Sequence, residues 1–222
     1  ISGLEKAYYA NHDRNPKYQE AIDVLADWDY RTSANSVAMT LAHYYGTIYG
    51  RKGKRPYRMS DMEAMTYFGT KSPNSERLAI LDEVLERLTA DFGTWKMPWG
   101  EVNRYQRLNG DIKQKFDDGK PSIPVGFASG RWGALAAYGV SYTNNTKKIY
   151  GTRGNSFVAA VEFGDKVKAK SILAGGQNGD PNSPHFNDQT QMYIDAKFKD
   201  VLFYKEDVLK NAKRTYHPGE KQ

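Results

Sequence analysis

The richest run of chemically able side chains is Gly175-Gly176-Gln177-Asn178-Gly179-Asp180-Pro181-Asn182-Ser183-Pro184-His185-Phe186-Asn187-Asp188-Gln189. It holds a hydroxyl, an imidazole and carboxylates, the ingredients of a Ser/His/Asp site. Ser183 and His185 are separated by one Pro, however, and cannot easily face each other for proton transfer. The spacing therefore favours a tightly hydrogen-bonded structural loop closed by an Asp188 cap. Glu162 is a different case. It falls mid-strand on a face shared with Val158 and Ala160, so its carboxylate is either exposed at an edge or buried with a partner, and spacing alone favours exposure. The four His, at 12, 43, 185 and 217, are too scattered to suggest a metal site, and each is expected in a surface or capping role. No phosphate loop, His-Glu-x-x-His helix or Gly-x-Ser-x-Gly elbow occurs. With no Cys in 222 residues, a thiol nucleophile, a thiolate metal site and a disulfide scaffold are excluded. No cofactor and no metal are assigned.

These residues must be carried by elements of two kinds. The first half reads as helical. Asn15-Pro16 resembles an N-cap followed by Pro at the first helical position, and Tyr18, Ala21, Ile22, Leu25 and Ala26 recur at helical spacing up to about Trp28-Asp29. A second helix, capped somewhere from Ser33 to Asn35, carries Val37, Ala38, Leu41, Tyr44, Tyr45 and Ile48 and stops at Gly50. A third covers about Asn74 to Phe92, with Leu78, Leu81, Leu85 and Leu88 on one stripe and Gly93 as the stop. After Asp117-Asp118-Gly119-Lys120-Pro121 the pattern becomes strand-like. Ser156 to Phe163 alternates, Gly164-Asp165 reads as a two-residue hairpin turn, and the returning strand Lys166 to Ala174 places Lys166, Lys168 and Lys170 towards water. A short helix from about Asp188, a strand near Val201 to Tyr204 and a helix from Glu206 to about Arg214 complete the chain.

An apolar content of 39% over 222 residues suffices for a sizeable core. Sixteen Tyr, nine Phe and four Trp suit interfaces as well as cores. The net charge of +6 comes from 32 basic and 26 acidic residues spread along the chain, and the cluster Arg51-Lys52-Gly53-Lys54-Arg55 is expected as a solvated loop. Neither a nucleic-acid partner nor a membrane is assigned, since no apolar run approaches the roughly 20 residues of a span.

Taken in order, Leu25-Ala26-Asp27-Trp28-Asp29-Tyr30 with Ser36-Val37-Ala38, then Trp99-Gly100-Glu101-Val102-Asn103-Arg104, then Ile123-Pro124-Val125-Gly126, then Gly154-Asn155-Ser156-Phe157-Val158-Ala159-Ala160-Val161-Glu162-Phe163, and finally Gly175 to Pro181 with Ser183-Pro184-His185 and Asp188-Gln189 resemble the penicillin amidase family. That family includes penicillin, cephalosporin and acyl-homoserine-lactone acylases. The resemblance implies an α+β chain forming the C-terminal portion of an N-terminal-nucleophile hydrolase αββα sandwich with a peripheral helical layer. Residues 1–116 are then the mainly helical part and 117–222 the strand-rich part, together one structural unit. It also implies a precursor that cuts itself to expose a β-chain Ser, whose α-amine is its base, with backbone and Asn donors holding the oxyanion.

The chain begins with Ile1, so the nucleophile and the oxyanion Asn are expected upstream, and the chain alone is expected to be inactive. In cephalosporin-acylase-like members a Glu on this strand supports a His near the nucleophile. Glu162 matches it, which implies a supporting catalytic role, with the His outside this chain. The Gly175 to Gln189 loop is expected to hold the end of the central sheet. The implied partners are the remaining acylase segments, namely the α-chain and the N-terminal part of the β-chain, and a small-molecule acyl amide substrate. The implied location is periplasmic or secreted. The alternative is a non-catalytic binding module that kept the acylase fold.

Overall fold

The computed structural model describes residues 1–11, 14–54, 58–135, 137–143, 145–217 and 219–220. The chain divides into two compact units, one of residues 1–106 with 115–154 and one of residues 107–114 with 155–222. His12 and Arg55 lie outside the described residues.

In the first unit the helices are α1 (Ser2–Tyr9), α2 (Pro16–Ala26), α3 (Val37–Lys52), α4 (Asp61–Thr70), α5 (Asn74–Phe92) and α6 (Trp99–Val102). The start of α2 is as the sequence indicates. The Asn15 side chain accepts from the Lys17 N–H at 3.0 Å and Pro16 opens the helix, which answers a donor that a helix start leaves unpaired. The helix ends at Ala26, short of Trp28. For α3 the cap is Ser36, whose hydroxyl accepts from Met39 N–H at 3.0 Å. Ser33 is spent on the preceding turn, where its carbonyl accepts from Ser36 N–H. Nor does Gly50 stop α3, which runs on to Lys52. The glycine of α3 that packing requires is Gly46, where an added Cβ would lie 2.9 Å from the Trp132 indole. Arg51 and Lys52 are consequently a last helical turn rather than a loop. Both are exposed, and Lys52 meets Glu83 at 2.7 Å.

Helices α1 and α4 were not anticipated from hydrophobic spacing. Yet α4 opens on a capping box, Ser60 with Glu63, whose Ser-x-x-Glu pattern is visible in the sequence. The longest helix, α5, buries Leu78, Leu81, Val84, Leu85 and Leu88, and ends at Gly93 with φ of 82°, a conformation glycine adopts without steric cost. Together with Leu25, Ile22, Leu41 and Tyr44 these side chains make one core cluster. Beside it lies a four-stranded sheet of β1 (Asn103–Tyr105), β2 (Ile123–Pro124), β3 (Tyr138–Ser141) and β4 (Ile149–Gly154), in the order β2-β1-β4-β3. The β1–β4 pair is parallel and the other two are antiparallel. Gly154 ends β4 at φ of 134°, where any Cβ would meet the Ala137 carbonyl oxygen at 2.1 Å.

In the second unit β5 (Phe157–Glu162), β6 (Lys168–Leu173) and β7 (Lys199–Val201) form an antiparallel sheet in that order, with α7 (Thr190–Ile194) and α8 (Lys205–Asn211). The expected two-residue turn at Gly164-Asp165 is instead a five-residue loop, 163–167, because the ladder pairs Glu162 with Lys168 and Phe157 with Leu173. A two-residue turn would slip the register by one and pair Ile172 with Phe157. The observed register pairs Ile172 with Val158 and buries it to 1% exposure, and a slip of one residue is costly wherever a face is buried. Lys168 and Lys170 are exposed as expected. The later elements are displaced by a few residues: α7 starts at Thr190 rather than Asp188, β7 precedes rather than follows Val201, and α8 ends at Asn211. No helix among the described residues is long and apolar enough to cross a membrane.

The core of the first unit sets a direct test. Leu81, fully buried, replaced by Ala should cost about 2–5 kcal/mol in chemical denaturation, from lost transfer energy plus a cavity. Leu135→Ala, at a side chain 99% exposed, should stay within about 0.5 kcal/mol of the parent.

Candidate functional site

Within the second unit, the loop from Gly175 to Gln189 is held by its own polar groups. Asn178 Oδ1 accepts from Asp180 N–H at 2.8 Å, and Asp180 Oδ1 accepts from Asn182 N–H at 2.9 Å. Gln189 donates its N–H to the Gly175 carbonyl at 2.9 Å and accepts through Oε1 from Leu173 N–H at 3.3 Å, so the loop closes onto the end of β6. Gly176 is required by close approach, since a Cβ there would sit 2.0 Å from the His185 carbonyl oxygen. The Ser183 hydroxyl accepts from the backbone N–H of His185 at 3.2 Å, while the His185 ring is bonded through Nδ1 to Asp188 at 2.9 Å. Ser183 and Asp188 thus address different parts of His185, and the arrangement is a loop lock rather than a proton relay. Asp188 is not a helix cap as expected, because its carboxylate is engaged by His185 and the cap position belongs to Gln189. The segment 107–114 was not singled out from sequence. Arg107 donates to the carbonyls of Asn178, at 3.0 Å, and of Phe186, and its guanidinium lies 4.2 Å from the Phe186 ring centroid.

Glu162 stands at the end of β5, its side chain 72% exposed and 3.6 Å from Lys168 Nζ. A pair so exposed is screened and contributes little to stability.

In the first unit, three of the separately quoted motifs converge. Trp99 N–H donates to the Ser36 carbonyl at 3.0 Å and Gly100 N–H to that of Ala34 at 2.7 Å. The Trp99 indole donates to the Phe127 carbonyl at 2.9 Å, and the Asn103 carboxamide donates to the carbonyls of Val125, at 2.8 Å, and Phe127, at 3.0 Å. Arg104 reaches the carbonyls of Gly100, at 2.8 Å, and Ser122, at 2.7 Å. A Cβ on Gly100 would lie 2.9 Å from both Ala34 and Pro124. The motif around Trp99 is therefore a junction that satisfies buried backbone oxygens. Its one carboxylate, Glu101, is 54% exposed and lies 3.4 Å from Arg104 Nη1.

His43 departs from the expected surface role. It is 5% exposed, with Nε2 2.6 Å from the Tyr142 hydroxyl and its ring 4.6 Å from that of Trp99. The reason is that α3 is buried on several sides, with Thr40, Leu41 and Tyr44 each almost inaccessible; no single apolar stripe marks His43 as interior. Burial lowers its pKa to about 4, which keeps the imidazole neutral. His185 and His217 are exposed. A cleft of about 180 Å³ near α1, α3 and α4 is lined mainly by apolar and aromatic groups, including Leu4, Tyr49, Phe68 and Trp132. Its buried Arg77 is already committed to the carbonyls of Gly3 and Phe68.

The family model described as penicillin amidase matches residues 3–210, which is nearly the whole chain. Among solved structures, a thermostable penicillin G acylase from Alcaligenes faecalis aligns with 99% of this chain and 45% of its own at 16% identity, with a TM-score of 0.46. The chain thus spans under half the length of that acylase chain.

The burial of His43 has a measurable consequence. Its folded pKa of about 4 lies below the unfolded value of about 6.5, so the unfolded state binds the extra proton. Its contribution to stability is complete above pH of about 6.5 and is lost as pH falls towards 4, with a slope approaching about 1.4 kcal/mol per pH unit. Urea denaturation at pH 7, 6 and 5 should show this slope in the parent chain, and His43→Asn should be less stable at pH 7 but lack the slope.

Proposed function

We infer the function from one premise: the chain belongs to the penicillin amidase family. The match over residues 3–210 carries this, because it runs through helices, junction, edge strand and loop together rather than through one motif. The reading is that these residues are the C-terminal part of the β-chain of an acylase that cleaves a non-peptide amide to an acid and an amine, working in the periplasm or outside the cell. The mixed α and β elements contribute to the αββα sandwich of an N-terminal-nucleophile hydrolase, completed by its remaining segments. An amide carbonyl needs an activated hydroxyl and preformed donors where the oxyanion develops. On this reading a Ser α-amine and hydroxyl, with backbone and Asn donors, come from those other segments. The loop at Ser183, His185 and Asp188 supports this division of labour, since its hydroxyl is turned to a backbone N–H and away from the imidazole.

Glu162 is the residue of this chain assigned to the chemistry, as a positioning carboxylate. Its exposure and its long 3.6 Å contact with Lys168 leave it available to accept a hydrogen bond from a His on another segment. A carboxylate in that place fixes the ring orientation and stabilises its charged form, as outer partners of reacting groups commonly do.

The isolated 222-residue chain should show no turnover of phenylacetyl, glutaryl or long-chain acyl amides. Turnover that a substitution inside these residues abolishes would sink the division proposed above. In the complete acylase, Glu162→Gln should lower kcat by about 10–100-fold with a smaller rise in KM, because orientation counts most in the transition state. A variant within about twofold of the parent, an effect under roughly 0.5 kcal/mol, removes Glu162 from the mechanism.

A further inference from the structure

Two Asn-Gly pairs meet in the second unit, Asn109-Gly110 in the 107–114 strip and Asn178-Gly179 in the polar loop. A Cβ on Gly110 would lie 2.4 Å from the Gly179 carbonyl oxygen, so any side chain at 110 would force the two backbones apart. The carboxamide of Asn109 is held at both ends. Its Oδ1 accepts from Asp111 N–H at 3.0 Å and from Gln114 Nε2 at 2.8 Å, and its Nδ2 donates to Asp111 Oδ2 at 2.9 Å. The bond from Asp111 N–H closes an Asx turn, which folds the side chain back over the peptide that carries the Gly110 nitrogen. Among the described residues the N–H of Gly110 is bonded to no acceptor. Gln114 is itself fixed, since its Oε1 accepts from Leu108 N–H at 3.1 Å and its Nε2 also donates to the Asp111 carbonyl. Two donors thus converge on a carbonyl oxygen beside an uncommitted amide nitrogen, an arrangement that stabilises charge developing on an oxygen whose carbon is attacked. Asn178 also precedes a glycine, but among the described residues its Oδ1 has one donor, Asp180 N–H at 2.8 Å.

We propose that Asn109-Gly110 is a modification site at which the fold itself promotes deamidation, with Gly110 nitrogen as the nucleophile and Asp111 N–H and Gln114 Nε2 as the oxyanion donors. The Gly110 nitrogen gives its proton to hydroxide and bonds to Asn109 Cγ, and the negative charge falls on Oδ1 between the two donors. As the carbonyl reforms, the Cγ–Nδ2 bond breaks, and Nδ2 takes a proton from water and leaves as ammonia. Water then adds to either carbonyl of the five-membered imide and breaks one of its C–N bonds, giving aspartate or isoaspartate with no oxidant or reductant. Either product alters the turn. A carboxylate replaces the Nδ2 donor that faces Asp111 Oδ2, and isoaspartate adds a carbon to the backbone beside the contact between Gly110 and Gly179.

Peptide mapping by mass spectrometry tests this on the chain incubated at neutral pH, native and in guanidinium chloride, with isoaspartate located by enzymatic methylation. Denatured, the two Asn-Gly pairs should react at similar rates. In the native chain Asn109 should deamidate at least about threefold faster than it does denatured, and at least about threefold faster than native Asn178, as one extra hydrogen bond to the charged oxygen requires. Gln114→Glu keeps an acceptor for Leu108 N–H while removing the donor to Asn109 Oδ1. It should slow native Asn109 at least about threefold and leave the denatured rate unchanged. A native Asn109 that reacts no faster than the denatured one, or no faster than native Asn178, overturns the proposal. So does a folded Gln114→Glu variant with the parent's rate. Should that variant fail to fold, the comparison of Asn109 with Asn178 in the parent chain decides.

Discussion

Backbone carbonyls that enter a core without a ladder to receive them must be answered by side chains, and the first unit is built around one such place. The stretch from Ser122 to Ala128 contains only a two-residue strand, yet Val125 and Ala128 are buried. Its oxygens are met by Trp99, Asn103 and Arg104. Each unanswered buried carbonyl would cost about 1–3 kcal/mol, so these three residues are as much part of the core as any leucine. The same junction ties down the turn before α3 through the carbonyls of Ala34 and Ser36. Residues far apart in the chain thereby set the start of a helix that packs Gly46 against Trp132.

Features governed by local chemistry were legible in the sequence. The Asn15-Pro16 start of α2, the leucine stripe of α5 and its Gly93 stop concern only neighbouring residues and are found as expected. What depended on packing was not legible. Gly50 looks like a terminator, yet α3 runs on through it to Lys52, and His43 looks like a surface residue until α3 is found buried on several sides. The hairpin loop was misread for a similar reason: Gly164-Asp165 has the right composition for a tight turn, but the burial of Ile172 decides the register. The α4 capping box is written in the sequence as Ser60-x-x-Glu63, but the helix it opens carries no strong apolar stripe.

For the candidate site, the sequence indicated a polar loop that looks catalytic and should not be, and the geometry agrees on its construction: hydroxyl to backbone, imidazole to carboxylate, and amide side chains to neighbouring N–H groups. The converging roles of Trp99, Asn103 and Arg104 could be suspected from their clustering. Their acceptors, being backbone atoms, leave no mark in the sequence.

The second unit is assembled from two stretches of chain separated by residues 115–154, which fold into the first. Arg107 finds its acceptors 71 and 79 residues later. Closing a loop of that length costs on the order of 4 kcal/mol of chain entropy, and non-local closures of this kind slow folding. During synthesis Arg107 therefore leaves the ribosome well before its acceptors at Asn178 and Phe186 have emerged. The order of translation makes completion of the second unit a late event, since β7 and α8 emerge later still.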